Sequence, residues 1–351
     1  SDLTVECDGA GNSTALNNWL NNQGGAAASD DCSNVVWTND YTALSDECGA
    51  TGSATITFTA TDDCGNSTTT SATFTIEDTT DPTITLAAQD TTINCSTAGQ
   101  AAAIASWLAN NGGAEASDVC GNISWTNDYT ATSNGCGASG DVLVTFTVTD
   151  DCGNSSTTSA TLTIEDTTPP TIDTQASDET VECDGAGNTT VLNNWLNNQG
   201  GASASDACSD VTWANNFTSL SDLCGATGAA TVTFTATDDC GNSSTTTATF
   251  TIEDTADPTI TVAAQDTTIN CSTVNQAAAI ASWLANNGGA EASDVCGNVS
   301  WTNDYTDISD LCGATGTATV TFTATDDCGN TSTTSATLTV QDITNPTIDT
   351  Q

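Results

Sequence analysis

Two kinds of side chain could do chemistry in this sequence of 351 residues: 45 carboxylates and 16 cysteines. Lys, Arg, His and Met are absent, and the formal charge is -45. Proton shuttling and Schiff-base chemistry usually need His or Lys, so only carboxylates, Tyr, Ser, Thr and Cys remain for catalysis. Metal sites built on imidazole are excluded, whereas oxygen or thiolate ligands are available. Paired carboxylates in a cleft would suit glycoside hydrolysis. Every candidate pair here recurs four times in equivalent positions, which fits structure better than catalysis. The reading is therefore not an enzyme, with a glycosidase as a distant alternative.

The same charge decides against other classes. Phosphate backbones and anionic membrane surfaces are bound through Lys and Arg, so neither nucleic acid nor an anionic bilayer is an expected partner. No run of about 18 apolar residues and no basic leader with an apolar stretch is present, so membrane insertion by this segment is not expected and targeting signals are expected elsewhere. No CxxC pair occurs among the cysteines. Disulfides and an oxidising location follow.

The spacing of the cysteines sets the organisation. Cys7, Cys95, Cys183 and Cys271 stand 88 residues apart, and the series beginning at Cys32, Cys48 and Cys64 repeat in the same register. Repeats one and three share ECDGAGN and LNNWLNNQGGA; two and four share INCST and QAAAIASWLANNGGAEASDVCGN. The larger unit is an A-B pair of 176 residues. Pro82, Pro170, Pro258 and Pro346 mark the seams after EDTTD, EDTTP, EDTAD and QDITN. The expected modules are 1–81 (A, without its first strand), 82–169 (B), 170–257 (A) and 258–345 (B), with 346–351 opening another. The sequence reads as a window on a longer array.

In the second module, PTITL and TTINC read as one edge strand kinked at residues 88–90. Ser96 or Thr97 is placed to cap a short helix over 101–110, with Ile104, Trp107 and Leu108 on its apolar face and Asn-Gly-Gly as its stop. NISWTNDYT, VLVTFTVTD and TTSATLTIED follow as strands, with Ala160, Leu162 and Ile164 inward, and residues 151–154 turn between the last two. The module is an antiparallel β-sandwich with one short helix.

A core of this size gains from staples. In a stack of modules, the final strand runs from the pole shared with the preceding module to the pole shared with the next. That direction puts Cys120 and Cys152 at the first pole and Cys136 at the second, since eight strand residues span more than about 25 Å. Elimination then pairs Cys95 with Cys136 and Cys120 with Cys152. The same pattern predicts Cys7–Cys48, Cys32–Cys64, Cys183–Cys224, Cys208–Cys240, Cys271–Cys312 and Cys296–Cys328, two bonds within each module.

These residues carry a resemblance. VTFTATDDCGNSSTTTATFTIEDTADPTI at 232–260, with its T-D-x-x-G-N hairpin and D-x-x-x-P seam, resembles hyalin-repeat (HYR) modules, as does Trp followed by a GGA-x-A-S-D-x-C stretch. The version with four cysteines and a helical NNWLNN segment is similar to HYR-like tandem modules of cell-surface and SprB-like gliding adhesins of Bacteroidota. The resemblance covers all four modules. It implies an all-β array of immunoglobulin-like sandwiches, an extracellular cell-surface location, type IX secretion of the parent, and a role in adhesion or gliding motility. It also implies O-glycans on Asp-Thr sequences, found here at Thr79, Thr91, Thr167, Thr255 and Thr267.

Calcium is the sharpest cofactor expectation, because hard oxygen ligands suit it and the chain has no side-chain cations of its own. At the first seam, the linker supplies Glu77, Asp78 and Asp81, and the next module supplies Asp118, Asp150 and Asp151. The third seam supplies Glu253, Asp254, Asp257, Asp294, Asp326 and Asp327. The seam between them has Pro169 in place of the linker aspartate. The alternative is that these acids cap turns or are simply solvated. No organic cofactor is expected.

The functional expectation is a rigid, repetitive stalk or filament segment of a secreted adhesin, spacing an adhesive tip from the cell. Its partners would be neighbouring modules of the same longer chain and other chains of a filament. One alternative is an array of glycan-binding modules using Trp19, Trp37, Tyr41 and their equivalents, although those residues sit at core periodicity. Another is the extender of an ice-binding adhesin, using Thr-rich strand faces such as Thr55, Thr57 and Thr59.

Overall fold

The computed structural model describes residues 1–133, 135–309 and 315–348. The described residues are all-β with four short α-helices, in tandem immunoglobulin-like repeats. It divides into two units, Ser1–Thr168 with Ala207–Ser209, and Pro169–Asp206 with Asp210–Gln351.

The first repeat of unit one contains β1 (Leu3–Glu6), α1 (Ser13–Asn21), β2 (Val35–Asn39), β3 (Gly52–Asp62) and β4 (Ser67–Glu77). The second contains β5 (Thr83–Leu86), β6 (Thr91–Asn94), α2 (Gln100–Ala109), β7 (Glu115–Ser117), β8 (Ile123–Asn127), β9 (Gly140–Asp150) and β10 (Ser155–Glu165). Unit two repeats the plan. Its first repeat holds β11 (Thr171–Thr174), β12 (Glu179–Glu182), α3 (Thr189–Asn197), β13 (Ser203–Ser205), β14 (Val211–Asn215), β15 (Gly228–Asp238) and β16 (Ser243–Glu253). Its second holds β17 (Thr259–Val262), β18 (Thr267–Asn270), α4 (Gln276–Ala285), β19 (Glu291–Ser293), β20 (Val299–Asn303), β21 (Gly316–Asp326) and β22 (Thr331–Gln341).

Each repeat centres on a four-stranded sheet, ordered β1-β4-β3-β2 in the first and β6-β10-β9-β8 in the second. Alternation of Thr with apolar residues explains the long hairpin. In β9 and β10, Val144, Phe146, Val148, Ala160, Leu162 and Ile164 are buried, while the intervening Thr side chains take the other face. The helix covers the buried face. Trp19 of α1 meets Phe58 edge-on, with ring centroids 5.4 Å apart, and Trp107 of α2 meets Phe146 at 5.3 Å. Each indole N–H is satisfied by a backbone carbonyl, Ser1 O for Trp19 and Gln89 O for Trp107, both at 3.2 Å.

Two local expectations are corrected. The predicted kinked strand is two strands in two different sheets: β5 pairs antiparallel with β7, whereas β6 lies parallel to β10. The kink carries the chain between layers, so the second layer is a two-stranded ribbon plus the helix. Ser96 and Thr97 do not cap α2. Gly99, in a left-handed conformation, precedes the helix without a side-chain cap, and the Ser96 N–H and hydroxyl both donate to Asn94 Oδ1.

The pairing of cysteines is also corrected. Cys7 bonds Cys120, Cys48 bonds Cys152 and Cys95 bonds Cys208 in unit one; Cys183 bonds Cys296 and Cys224 bonds Cys328 in unit two. Cys136 and Cys240 are also disulfide-bonded, but Cys95 and Cys208, their expected partners, are bonded to each other. The expected bonds Cys7–Cys48, Cys95–Cys136, Cys120–Cys152, Cys183–Cys224, Cys208–Cys240 and Cys296–Cys328 are therefore replaced by bonds that leave the repeat. Cys32 and Cys64 are free and exposed, so the expected bond between them is absent too. Cys312, expected to pair with Cys271, lies outside the described residues. The reason is positional. Cys7, Cys48, Cys183 and Cys224, the first and third cysteines of the first repeat in each unit, reach the pole facing the next repeat, and the sulfurs they meet belong to that repeat's second and fourth cysteines, across the seam.

Candidate functional site: the seam between repeats

The two disulfides of the first seam hold Cα pairs at 6.1 Å (Cys7–Cys120) and 5.1 Å (Cys48–Cys152). Between them, the Ala50 N–H donates to Cys120 O at 2.7 Å. This approach requires glycine. At Gly49 (φ 54°), a Cβ would lie 2.2 Å from Cys120 O, and at Gly9 (φ 71°), 2.5 Å from Val119 O. Gly225 and Gly185 repeat the arrangement in unit two, at 2.3 Å from Cys296 O and 2.5 Å from Val295 O.

The linker is tied down as well. Pro82 is buried, the Ser155 N–H donates to Asp81 Oδ1 at 3.2 Å, and Asn154 Nδ2 donates to Asp78 O at 3.1 Å. Glu6, at the end of β1, accepts from the Thr79 N–H and hydroxyl and from the Thr80 hydroxyl, each at 2.9 Å. These bonds hold its carboxyl below the usual Glu range. Glu182 does the same with Thr255. Sequence reasoning missed Glu6 and Glu182. The available signal was their restriction to the A-type ECDGAG motif, where the B modules carry Asn94 and Asn270.

Most expected calcium ligands are occupied as hydrogen-bond acceptors. Asp150 caps its hairpin, accepting from the Cys152 and Asn154 N–H groups and from Asn154 Nδ2. Burial alone would raise its pKa, but these bonds outweigh burial and lower it. Asp326 is held the same way through Cys328 and Asn330. Asp151 and Asp327 accept from the Asn122 and Asn298 N–H groups, both at 2.9 Å. Asp257 accepts from the Thr331 N–H at 3.2 Å. Glu77 and Glu253 are exposed strand ends, in register with Glu6 and Glu182.

Two carboxylates remain gathered at the first seam and two at the third. Asp78 and Asp118 each place an oxygen within 4.8 Å of the other and of the Cys120 sulfur, and Asp254 and Asp294 do so at Cys296. Both sulfurs are in disulfides and offer no thiolate. Asp118 also accepts from the Cys120 N–H at 2.7 Å. Asp78 is pushed above its ordinary value, chiefly by partial burial and then by the charges of Asp118, Asp150 and Glu6. Asp254 is raised likewise by burial, Asp294, Asp326 and Glu182. With no cationic side chain in the sequence, each pair is an uncompensated concentration of negative charge, suited to a hard divalent ion. Two carboxylates fall short of the six to eight oxygens that calcium takes, so water would have to complete the shell.

The other candidate residues lie apart. Trp19 and Trp195 are buried against Phe58 and Phe234 and offer no sugar-stacking face, whereas their equivalents Trp107 and Trp283 are half-buried. Thr55 and Thr73 on the outer sheet face share a hydrogen bond of 3.0 Å. Of the expected glycosylation positions, the Thr79 and Thr255 hydroxyls donate to Glu6 and Glu182, and the Thr167 hydroxyl accepts from Asn94 Nδ2 at 2.7 Å. Thr91 and Thr267 open β6 and β18 and are half-buried.

No family model and no curated protein matches the chain. Among solved structures, PcdhgB3 EC1-4 is similar over 85% of this chain and 84% of its own, at 12% identity and a TM-score of 0.28. Drosophila N-cadherin EC1-4 is similar over 97% of this chain and 99% of its own, at 8% identity and a TM-score of 0.24. These scores are too low to carry any functional likeness.

Proposed function

We propose that the chain is a repetitive stalk segment of a secreted cell-surface adhesin of the HYR-like kind, serving adhesion or gliding by spacing an adhesive tip from the cell. The observation that supports this reading is the double disulfide between adjacent repeats, Cys7–Cys120 with Cys48–Cys152 and Cys183–Cys296 with Cys224–Cys328. A single covalent link would leave a swivel. Two links, with the linker between them tied to Glu6 and Ser155, oppose both bending and twisting. A spacer benefits from that stiffness, whereas an enzyme or an independent binding module has no need of it. Disulfide density also suits an extracellular location. In this reading calcium is an accessory, neutralising Asp78–Asp118 and Asp254–Asp294 at seams already held covalently, and any O-glycans decorate the linkers.

The test is length against repeat number. Scattering from oxidised chains of two, four and eight repeats should show a maximum dimension rising nearly linearly, by roughly 35 to 45 Å per repeat for strands of about ten residues. Growth as the square root of repeat number would overturn the stalk reading. Reduction of the disulfides should move the oxidised chain toward that flexible behaviour.

A further inference from the structure

The two repeat types set different surroundings around an equivalent tryptophan. In the A repeats, Trp19 and Trp195 are 7% and 8% exposed, and each lies against two phenylalanines, Phe58 with Phe74 and Phe234 with Phe250. The B repeats carry Leu162 and Leu338 in place of the second phenylalanine. Trp107 and Trp283 keep the edge-on contact with Phe146 and Phe322, both at 5.3 Å, and are half-buried.

The helix around the ring is trimmed as well. Beside Trp195 lies a groove of about 410 Å³, lined also by Glu179, Val191, Asn194 and Asn198. Its counterpart beside Trp107 is about 640 Å³ and is lined by Ala103, Ser106, Ala109 and Asn110. Ala103 and Ser106 stand where repeat three has Val191 and Asn194, and repeat four has the same small residues at Ala279 and Ser282. The ring so uncovered is fixed in place. The indole N–H groups of Trp107 and Trp283 donate to Gln89 O and Gln265 O, both at 3.2 Å, so a ligand lying on the ring has little side-chain freedom to remove.

The lining selects the ligand. It is uncharged, and a chain of net charge -45 without Lys, Arg or His repels anions and offers them no counter-ion. Ser106 and Asn110 are exposed beside the ring. A purely apolar occupant would cover this hydroxyl and this amide without pairing them. A pyranose has one C–H face for the electron-rich face of an indole and a rim of hydroxyls for the polar groups. We propose that each B repeat binds a neutral pyranose of a polysaccharide, stacked on Trp107 or Trp283 and hydrogen-bonded by Ser106 with Asn110 or Ser282 with Asn286. The site lies within a single repeat and is independent of the stalk reading, whose test is length.

Nuclear magnetic resonance of the full oxidised chain tests the proposal, with the β-1,4-linked hexaoses of glucose, mannose and galactose as probes and hexagalacturonate as the acidic counterpart. At least one neutral hexaose should shift the indole N–H resonances of Trp107 and Trp283 and leave those of Trp19 and Trp195 in place, and hexagalacturonate should shift none. Converting the B grooves to the A type with Ala103→Val, Ser106→Asn, Ala279→Val and Ser282→Asn should weaken binding about tenfold, the loss of one stacking contact. The melting temperature should hold, because repeat three carries those residues in the same helix. Neutral hexaoses that move neither resonance, equal shifts at Trp19 and Trp195, equal shifts with hexagalacturonate, or undiminished binding by the converted chain would each overturn the proposal.

Discussion

Cys48 is bonded to Cys152, 104 residues further along the chain, with their Cα atoms 5.1 Å apart. Its companion Cys7 is bonded to Cys120 across 113 residues. Both bonds leave the repeat in which they begin, so adjacent repeats form one covalently closed unit instead of two separately stapled domains.

Peptide mapping of the oxidised protein should recover Cys7–Cys120, Cys48–Cys152, Cys183–Cys296 and Cys224–Cys328. Trypsin has no site in a chain without Lys or Arg, so cleavage at acidic or aromatic residues takes its place. Recovery of Cys7–Cys48 would refute the pairing. In the chain-entropy model, a loop of about 100 residues is worth about 4.7 kcal/mol. Replacing both Cys48 and Cys152 by Ala should therefore lower stability by a few kcal/mol, read from denaturant midpoints.

Gly49→Ala should be costly. A new Cβ meets the Cys120 carbonyl at 2.2 Å in a backbone of φ 54°, combining a clash with left-handed strain of about 1–3 kcal/mol. Gly65→Ala is the control, since its φ of 89° is at least as unfavourable for a side chain but nothing lies within 4 Å. Equal losses at the two positions would mean that the seam can open to accept the methyl group.

Stability should depend on pH with two opposite signs. Between the ordinary Asp value of 3.8 and their raised folded values, Asp78 and Asp254 hold more protons in the native chain than in the unfolded one. Their contribution therefore falls as pH rises through that window. Asp150 and Asp326 are lowered from 3.8, so the stability they supply is present above 3.8 and lost as pH falls through their folded values. In chelator at pH 7, Asp78→Asn with Asp254→Asn should raise the melting temperature, whereas Asp150→Asn should reduce it. A fall on Asp78→Asn would show that its negative charge is used rather than merely tolerated.

Calcium should reverse the first of those effects. Millimolar Ca²⁺ should raise the melting temperature of the unaltered chain, by about 2.7 kcal/mol of stability when free ion is a hundredfold above its dissociation constant. The Asp78→Asn, Asp254→Asn chain should not respond. Asp81→Asn with Asp257→Asn should retain the response, because those carboxylates accept from the Ser155 and Thr331 N–H groups instead of joining the gathered pairs. Absence of any heat of binding would return all these acids to the role of turn caps.

The sequence by itself determined the repeat, the hairpin and its buried face. Those follow from local rules: Cys spacing of 88 residues, Thr-apolar alternation through β9 and β10, and Asp-x-x-Gly-Asn turns whose aspartate bonds amides two and four residues on. It also placed the cysteines at the correct poles. It could not choose their partners, because in a strict repeat Cys32 and Cys120 occupy equivalent positions and spacing from Cys7 cannot tell one from the other. Only the close approach of two poles, permitted by Gly9 and Gly49, selects Cys120. The same limit applies to the carboxylates. Composition showed that acids crowd the seams, but whether an Asp meets only amide donors, as Asp151 does, or also lies beside another carboxylate, as Asp78 does, depends on which groups the tertiary fold brings together. Strand pairing is non-local in the same sense. TTIN could be read as a strand from its residues, but its parallel place beside β10 depends on Leu162 and Ile164 lying about 70 residues away in the sequence and beside it in space.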